Sequence, residues 1–221
     1  MDRYQRAGAT PPFFNAPGSV VWLSGVIVAL HVLRLLLPGR MEDLAFYHFA
    51  LIPERLSLAL SGSGNEAGYS IPGLLVAALG HAALHLDWMH VIVNTAMLLA
   101  LGAPVARRLG ARRFLVLFAV SVVAGGALFL ALRLPDGAPA VGASGGVSGV
   151  IAAALLQMAD PRATWPALVS PQFLKTSLAF LIANMALAVF GPALFGAGIA
   201  WDAHIGGYIA GALVMAAMAG R

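Results

Sequence analysis

Six long apolar runs, separated by short breaks rich in charge, Gly or Pro, set the pattern of this chain. The first covers about 18–37 and stops at Pro38-Gly39; the second follows His81 and passes through His90 and Asn94 to Leu101. The third covers about 114–134, and the fourth begins near Ala143 and ends before Asp160-Pro161. The fifth covers about 173–190 and halts at Gly191-Pro192, and the sixth covers about 199–219. The runs are continuous rather than alternating, so the pattern predicts helices and not the strands of a barrel. Each is about the 20 residues that cross a bilayer.

Between the first two runs lies a connection at about 41–80 in which polar and apolar residues mix. Leu44, Phe46, Tyr47 and Leu56 alternate there with Glu42, Asp43, Glu54 and Arg55, a mixture suited to a segment lying in the membrane interface. Ser61 to Asn65 reads as a turn. No repeat and no second domain is visible. The expected organisation is a short N-terminal segment at 1–17 followed by one six-helix membrane domain at 18–221. No small-residue cleavage site follows the first run, which reads as an anchor and not a removed signal peptide.

Composition agrees with this pattern and narrows it. Of 221 residues, 60% are hydrophobic and only 10% charged, against roughly 25% charged in ordinary soluble domains. Disorder is excluded by that balance. The absence of cysteine excludes disulfide scaffolds and thiolate metal sites. A net charge of +4 raises the question of nucleic acid, and the placement of the charges answers it. Arg3 and Arg6 precede the first run; Arg107, Arg108, Arg112 and Arg113 separate the second from the third; Arg162 and Lys175 separate the fourth from the fifth; Arg221 ends the chain. The long first connection carries Glu42, Asp43, Glu54, Glu66 and Asp87 against Arg40 and Arg55. The basic residues therefore read as topology markers that put both termini inside and the long connection outside. No nucleic-acid contact is expected.

Strongly polar side chains inside spans are costly and are functional candidates by default. The second run carries His81, His85, His90 and Asn94; the fourth opens with Gly142-Ala143-Ser144-Gly145-Gly146-Val147-Ser148-Gly149; the sixth opens with Trp201-Asp202-Ala203-His204. His90 and Asn94 are four apart and share a helix face. The second, fourth and sixth helices run the same way, so His90, Ser144 and His204 lie at one level. A serine hydroxyl needs a general base to become nucleophilic, and an acyl-transfer intermediate needs donors for its oxyanion. Ser144 with His204 meets the first need; His90, Asn94 and the Ser144 N–H meet the second. The bland readings are a serine bonded to its own helix and glycines that let helices pack closely. Gly142/Gly146, Gly145/Gly149 and Gly207/Gly211 all have the small-xxx-small spacing. Both readings hold together if close packing is what brings Ser144 to His204.

At these residues the sequence resembles the rhomboid intramembrane serine proteases over roughly 19–219. The motifs are His81-x-x-x-His85 leading to His90-x-x-x-Asn94, Gly142-Ala143-Ser144-Gly145, and Ala203-His204-Ile205-Gly206-Gly207, in that order. Gly146-Val147-Ser148-Gly149 also fits the nucleophile motif. Ser144 is favoured because the family often reads Gly-Ala-Ser-Gly followed by two small or apolar residues. Ser148 then stands one turn deeper, where many members carry an aromatic that packs on the catalytic histidine. The resemblance implies a Ser144–His204 dyad without an acid, an oxyanion hole of His90, Asn94 and the Ser144 N–H, and no cofactor. It implies single-pass transmembrane clients as substrates, and a multi-pass protein of a bacterial inner (plasma) membrane. Asp202, two positions from His204, is expected to face away as an N-cap or rim residue. His81 and His85 are expected to tie the external lobe to the core, and Trp88 and Met89 to line the substrate cleft. Two family features differ: Val76-Ala77 stands near the place of a Trp-Arg pair, and a Glu-x-Arg element survives only as Ala106-Arg107-Arg108.

Three other functions compete with this one. A non-proteolytic relative that binds transmembrane clients would usually lack the serine or the histidine. A histidine-ligated metal or haem protein draws on the His81/His85 spacing, but the Glu of a His-Glu-x-x-His motif is missing. A transporter would call for inverted repeats or broken-helix pairs, and neither is visible.

Overall fold

In hydrocarbon every backbone N–H and C=O must be bonded within its own segment, so long apolar runs fold as helices. The computed structural model describes residues 16–62, 68–195 and 198–219. Their helices are α1 (Gly18–Leu35), α2 (Gly39–Phe49), α3 (Pro53–Ser61), α4 (Ile71–Gly80), α5 (Trp88–Leu109), α6 (Ala111–Arg133), α7 (Ser144–Ala159), α8 (Pro171–Phe195) and α9 (Trp201–Ala219). Short 3₁₀ turns stand at His81–Ala83 and Trp165–Val169. Among the described residues no strand forms; Leu51 and Ala140 make one isolated antiparallel bridge. The N-terminal segment 1–15 with Arg3 and Arg6, Gly64, Asn65 and Glu66 of the first connection, and Arg221 lie outside the described residues.

Among the described residues four stretches are long and apolar enough to cross a bilayer: Gly18–Leu35, Trp88–Arg133, Pro171–Ala193 and Trp201–Ala219. The second holds two helices, since the chain reverses at Gly110, whose φ of +75° suits glycine, between α5 and α6. The sequence pattern predicts a further span at α7. That helix has 16 residues, about 24 Å at 1.5 Å per residue, and falls below the length of the others. Its position compensates, because α7 lies in the centre of the bundle, with Gly145, Val147, Val150, Ala153 and Leu156 all buried.

Several boundaries differ from the sequence pattern. α5 starts at Trp88 and not after His81, because Asp87 caps it by accepting the His90 N–H at 2.8 Å. α5 then continues through Pro104 to Leu109, and α8 continues through Pro192 to Phe195. A proline removes one helix bond, and in a bilayer the remaining bonds have no competing water. The 41–80 connection folds into α2, α3 and α4. Its core of Leu51, Tyr69 and Ala77 packs on Phe129 and Leu130 of α6. Tyr69 stitches the lobe by donating its hydroxyl to Ala50 O at 2.6 Å and accepting from Ile52 N at 3.0 Å. At the other end of the bundle Arg108 donates to the carbonyls of Pro161 and Arg162 and so anchors the connection after α7.

The bundle is closed by glycine. α9 is wedged between α6 and α7, and glycines line both contacts. A Cβ on Gly207 would stand 2.0 Å from Gly145 O, and one on Gly211 would stand 2.2 Å from Gly149 O. On its other side a Cβ on Gly206 would meet Ala124 O at 2.7 Å. Two of the three small-residue pairs in the sequence thus face one another across the α7–α9 seam. The third does not form a seam: Gly142 precedes α7, and Gly146 accommodates Phe118 and Val122 of α6. We expect Gly207→Ala and Gly211→Ala each to destabilise the protein by roughly 1–3 kcal/mol through overpacking. Gly25→Ala, which meets no atom within 4 Å, should leave the thermal unfolding midpoint in detergent unchanged. A wild-type midpoint for Gly207→Ala would show that the seam is looser than this packing.

Candidate active site

Helices α5, α7 and α9 run in the same direction, and their first turns surround a cavity of about 450 Å³. Its wall is formed by Leu86, Asp87, Met89, His90 and Val93 at the start of α5, Phe129 and Arg133 at the end of α6, Val141 and Ser144 before and at the start of α7, Leu187 of α8, and Ile199, Ala200 and His204 around the start of α9. Most of that surface is apolar; the polar exceptions are Asp87, His90, Arg133, Ser144 and His204.

The closest polar contact joins α7 to α9: Ser144 Oγ lies 2.8 Å from His204 Nε2. Ser144 is the first residue of α7, so its N–H belongs to the turn whose donors have no partner inside the helix. Of the two serines that fit the sequence motif, Ser144 is the one that reaches His204; Ser148 lies one turn deeper and is buried. The chain enters α7 through Gly142, whose φ is +125°. A side chain there would be strained, and its Cβ would come within 2.6 Å of the His90 ring. His90 is therefore packed directly on the backbone that leads into Ser144. Asn94 lies one turn further along α5, is buried, and donates through Nδ2 to His90 O at 2.8 Å. His90, Ser144 and His204 share the cavity wall; Asn94 stands behind His90.

His81 and His85 hold the approach to Ser144. The two are not on one helix, as His81 sits in the 3₁₀ turn and His85 in the extended stretch before α5. His81 donates through Nδ1 to Ala77 O at 3.0 Å, and its own carbonyl accepts the Gly142 N–H at 2.8 Å. The Ala143 N–H donates to His85 Nε2 at 3.3 Å. An amide can only donate, so Nε2 of His85 must carry a lone pair. The ring is fully buried, and it meets His90 edge-on at 4.9 Å.

Two sequence expectations are corrected. Asp202 is neither an N-cap nor a rim residue. It is the second residue of α9, is 0% exposed, and pairs with Arg133 Nε at 2.5 Å. A carboxylate buried at this depth needs a partner, and the end of α6 supplies one. Trp88 does not line the cleft; it packs edge-on against His31 of α1 at 4.7 Å, while Met89 does face the cavity.

Two polar residues at the site, Asn184 and Arg133, are missed by the sequence reading. Asn184 of α8 is 3% exposed, and its Oδ1 lies 2.8 Å from His204 Nδ1. Its Nδ2 donates to Trp201 O at 2.9 Å. The signal was present, since Asn184 is the one polar residue in the run 178–200, and a polar residue in a span is a candidate by default. Arg133 was missed for the opposite reason: it reads as the charged end of a span.

The family model described as Rhomboid domain matches residues 72–221, which includes His81, His90, Asn94, Ser144, Asn184 and His204. No curated protein matches the chain significantly.

Burial first, then the neighbouring His90 and His31, push the His85 imidazole down from 6.5 to about 3, and burial also lowers His81. Both groups are neutral when folded, while the unfolded chain takes up their protons below the ordinary value. The contribution of His85 is complete above pH 6.5 and is lost as the pH falls toward about 3, and that of His81 is lost in the same direction. The loss reaches at most ~1.4 kcal/mol per pH unit for each ring. The unfolding midpoint in detergent should drop between about pH 7 and about pH 4.5, and His85→Gln should flatten that slope. Parallel pH curves for the two proteins would show that His85 does not titrate in this window.

Proposed function

The chain belongs to the rhomboid family, and from that premise we propose that it is an intramembrane serine endopeptidase that cleaves transmembrane segments of client membrane proteins. What carries the reading is the 2.8 Å contact between Ser144 Oγ and His204 Nε2 at the wall of a mainly apolar cavity. A hydroxyl within hydrogen-bond reach of an imidazole lone pair is the minimum apparatus for acyl transfer.

The steps follow from that geometry. His204 Nε2 takes the Ser144 proton as Oγ attacks the carbonyl carbon of the client peptide bond. The resulting oxyanion takes hydrogen bonds from the Ser144 N–H, His90 and Asn94. The C–N bond then breaks, and His204 returns the proton to the departing amine. Water, deprotonated by His204, attacks the acyl-enzyme; the proton passes back to Ser144 Oγ as the acid fragment leaves. No cofactor enters. Asn94 Nδ2 must turn part of its donation from His90 O toward the oxyanion, so the hole is completed as the intermediate forms. A peptide bond in a helix is shielded by its own hydrogen bonds, so the client must unwind at the site. Gly or Pro in the client segment eases that step, and a small residue before the scissile bond is what the family resemblance implies.

The membrane arrangement belongs to the same reading. Helices α1, α5, α6, α7, α8 and α9 all cross the bilayer, α7 as a short central span, and α2 to α4 lie in the external interface. The arginines between α5 and α6 put that end of the bundle, and both termini, in the cytoplasm. The catalytic cavity then opens near the external face, where water reaches it. A bacterial plasma membrane is the setting that the family resemblance implies.

A fluorophosphonate probe tests the reading. Wild type in detergent should react with the probe and cleave a transmembrane reporter. Ser144→Ala and His204→Ala should each lower both rates at least ~1000-fold, and Asn94→Ala should lower cleavage by about 100- to 1000-fold. Ser148→Ala should remain reactive. Reaction of Ser144→Ala with loss in Ser148→Ala would move the nucleophile one turn along α7. A folded wild type with neither activity would instead indicate a rhomboid protein that binds clients without cutting them.

A further inference from the structure

Asn184 is placed where a catalytic triad would have its third member, yet it carries no charge. Its side chain makes two bonds, and the second determines the meaning of the first. A carbonyl can only accept, so Trp201 O at 2.9 Å requires the Asn184 NH₂. The amide is thereby oriented, and the atom left facing His204 Nδ1 at 2.8 Å is the acceptor Oδ1. Only an N–H can satisfy it. Nδ1 therefore holds the proton of the neutral ring, and Nε2 is left with the lone pair that faces Ser144 Oγ at 2.8 Å. The chain Trp201 O, Asn184, His204, Ser144 has one consistent set of donors, and it ends with the serine hydroxyl donating to the base.

We propose that Asn184 is a positioning residue that fixes the tautomer and orientation of His204, so that α8 completes the site formed by α7 and α9. The proposal rests on the hydrolase reading above and deepens it. The partnership also has a structural consequence. α8 is the least buried of the long apolar helices. It is clasped to α9 by Asn184 and, two turns earlier on the same face, by Ser177 Oγ to Tyr208 OH at 2.8 Å. The orientation of the base thus depends on where a lightly held helix sits.

Asn184→Ala and Asn184→Asp separate this role from a merely structural one. Aspartate keeps an acceptor for Nδ1–H but cannot donate to Trp201 O; alanine loses both. A positioning role predicts that Asn184→Ala lowers kcat about 10- to 100-fold with little change in KM, and that Asn184→Asp recovers most of the loss. If Asn184→Ala keeps wild-type kcat, or if Asn184→Asp falls as far as alanine, the residue only ties α8 to α9 and the proposal is wrong. A second measurement needs no variant at Asn184. In ¹⁵N-histidine-labelled wild type, with the His204 signals identified by their loss in His204→Ala, Nδ1 should be the protonated nitrogen; protonation at Nε2 overturns the proposal. The two ideas fail separately. An inactive but folded wild type ends the hydrolase reading, and the nitrogen shifts still decide whether Asn184 sets the tautomer.

Discussion

The close approach of α7 and α9 governs everything at the site. Two helices separated by ordinary side chains have axes some 8–10 Å apart. Here the Cα of Gly207 and of Gly211 meets backbone oxygen on α7, with no room for a single methyl group. The gain is not hydrophobic, since lipid is as apolar as the helix surface; it comes from packing and from the contacts that short distance allows. His204 lies three residues before Gly207, and Ser144 is next to Gly145. The seam therefore ends at the Ser144–His204 contact. The glycines that bring the backbones together also fix the separation at which hydroxyl and imidazole meet.

The rest of the molecule protects that contact from two directions. The lobe of α2 to α4 is anchored by the Leu51–Ala140 bridge, which pins the strap between α6 and α7, and by His81 O and His85 Nε2, which hold the backbone of Gly142 and Ala143. The start of α7 is thus held from the lobe, while the start of α9 is held by Arg133 through Asp202 and by Asn184 through Trp201. The two groups of supports hold Ser144 and His204 by different hydrogen bonds, and they share the apolar packing of Leu51 and Ala140 with Ala203.

Much of this was legible in the residues. The six apolar runs become the six longer apolar helices, and the motifs at His90, Ser144 and His204 lie on the helices the pattern assigned. The glycine pairs of α7 and α9 were readable as spacing, although which pairs would face each other was not. What escaped were contacts that depend on rotation and depth. Nothing in the spacing of Asn184 says which way α8 turns. Asp202 was assigned to a rim because a carboxylate near a helix start usually caps it, and only the end of α6, 69 positions earlier, shows that it is buried against Arg133. Helix starts and stops were displaced where a local signal, such as Pro104 or Pro192, was weaker than the need to keep backbone bonds satisfied in an apolar medium.

The choice of an amide beside the histidine follows from the same medium. A carboxylate at Asn184 would accept from the same Nδ1–H, but it would carry its charge to a position 3% exposed, which costs stability of the fold rather than the rate of the folded enzyme. The nearby carboxylate, Asp202, is already committed to Arg133. An asparagine gives the imidazole an acceptor without a charge, and it takes its own orientation from a backbone carbonyl that is fixed by the start of α9. It loses the electrostatic help that a carboxylate gives to a forming imidazolium. It retains the directional part, which is the choice of tautomer. In an apolar bundle that part is cheap to supply and the charge is not, so the amide is the physically reasonable partner for His204.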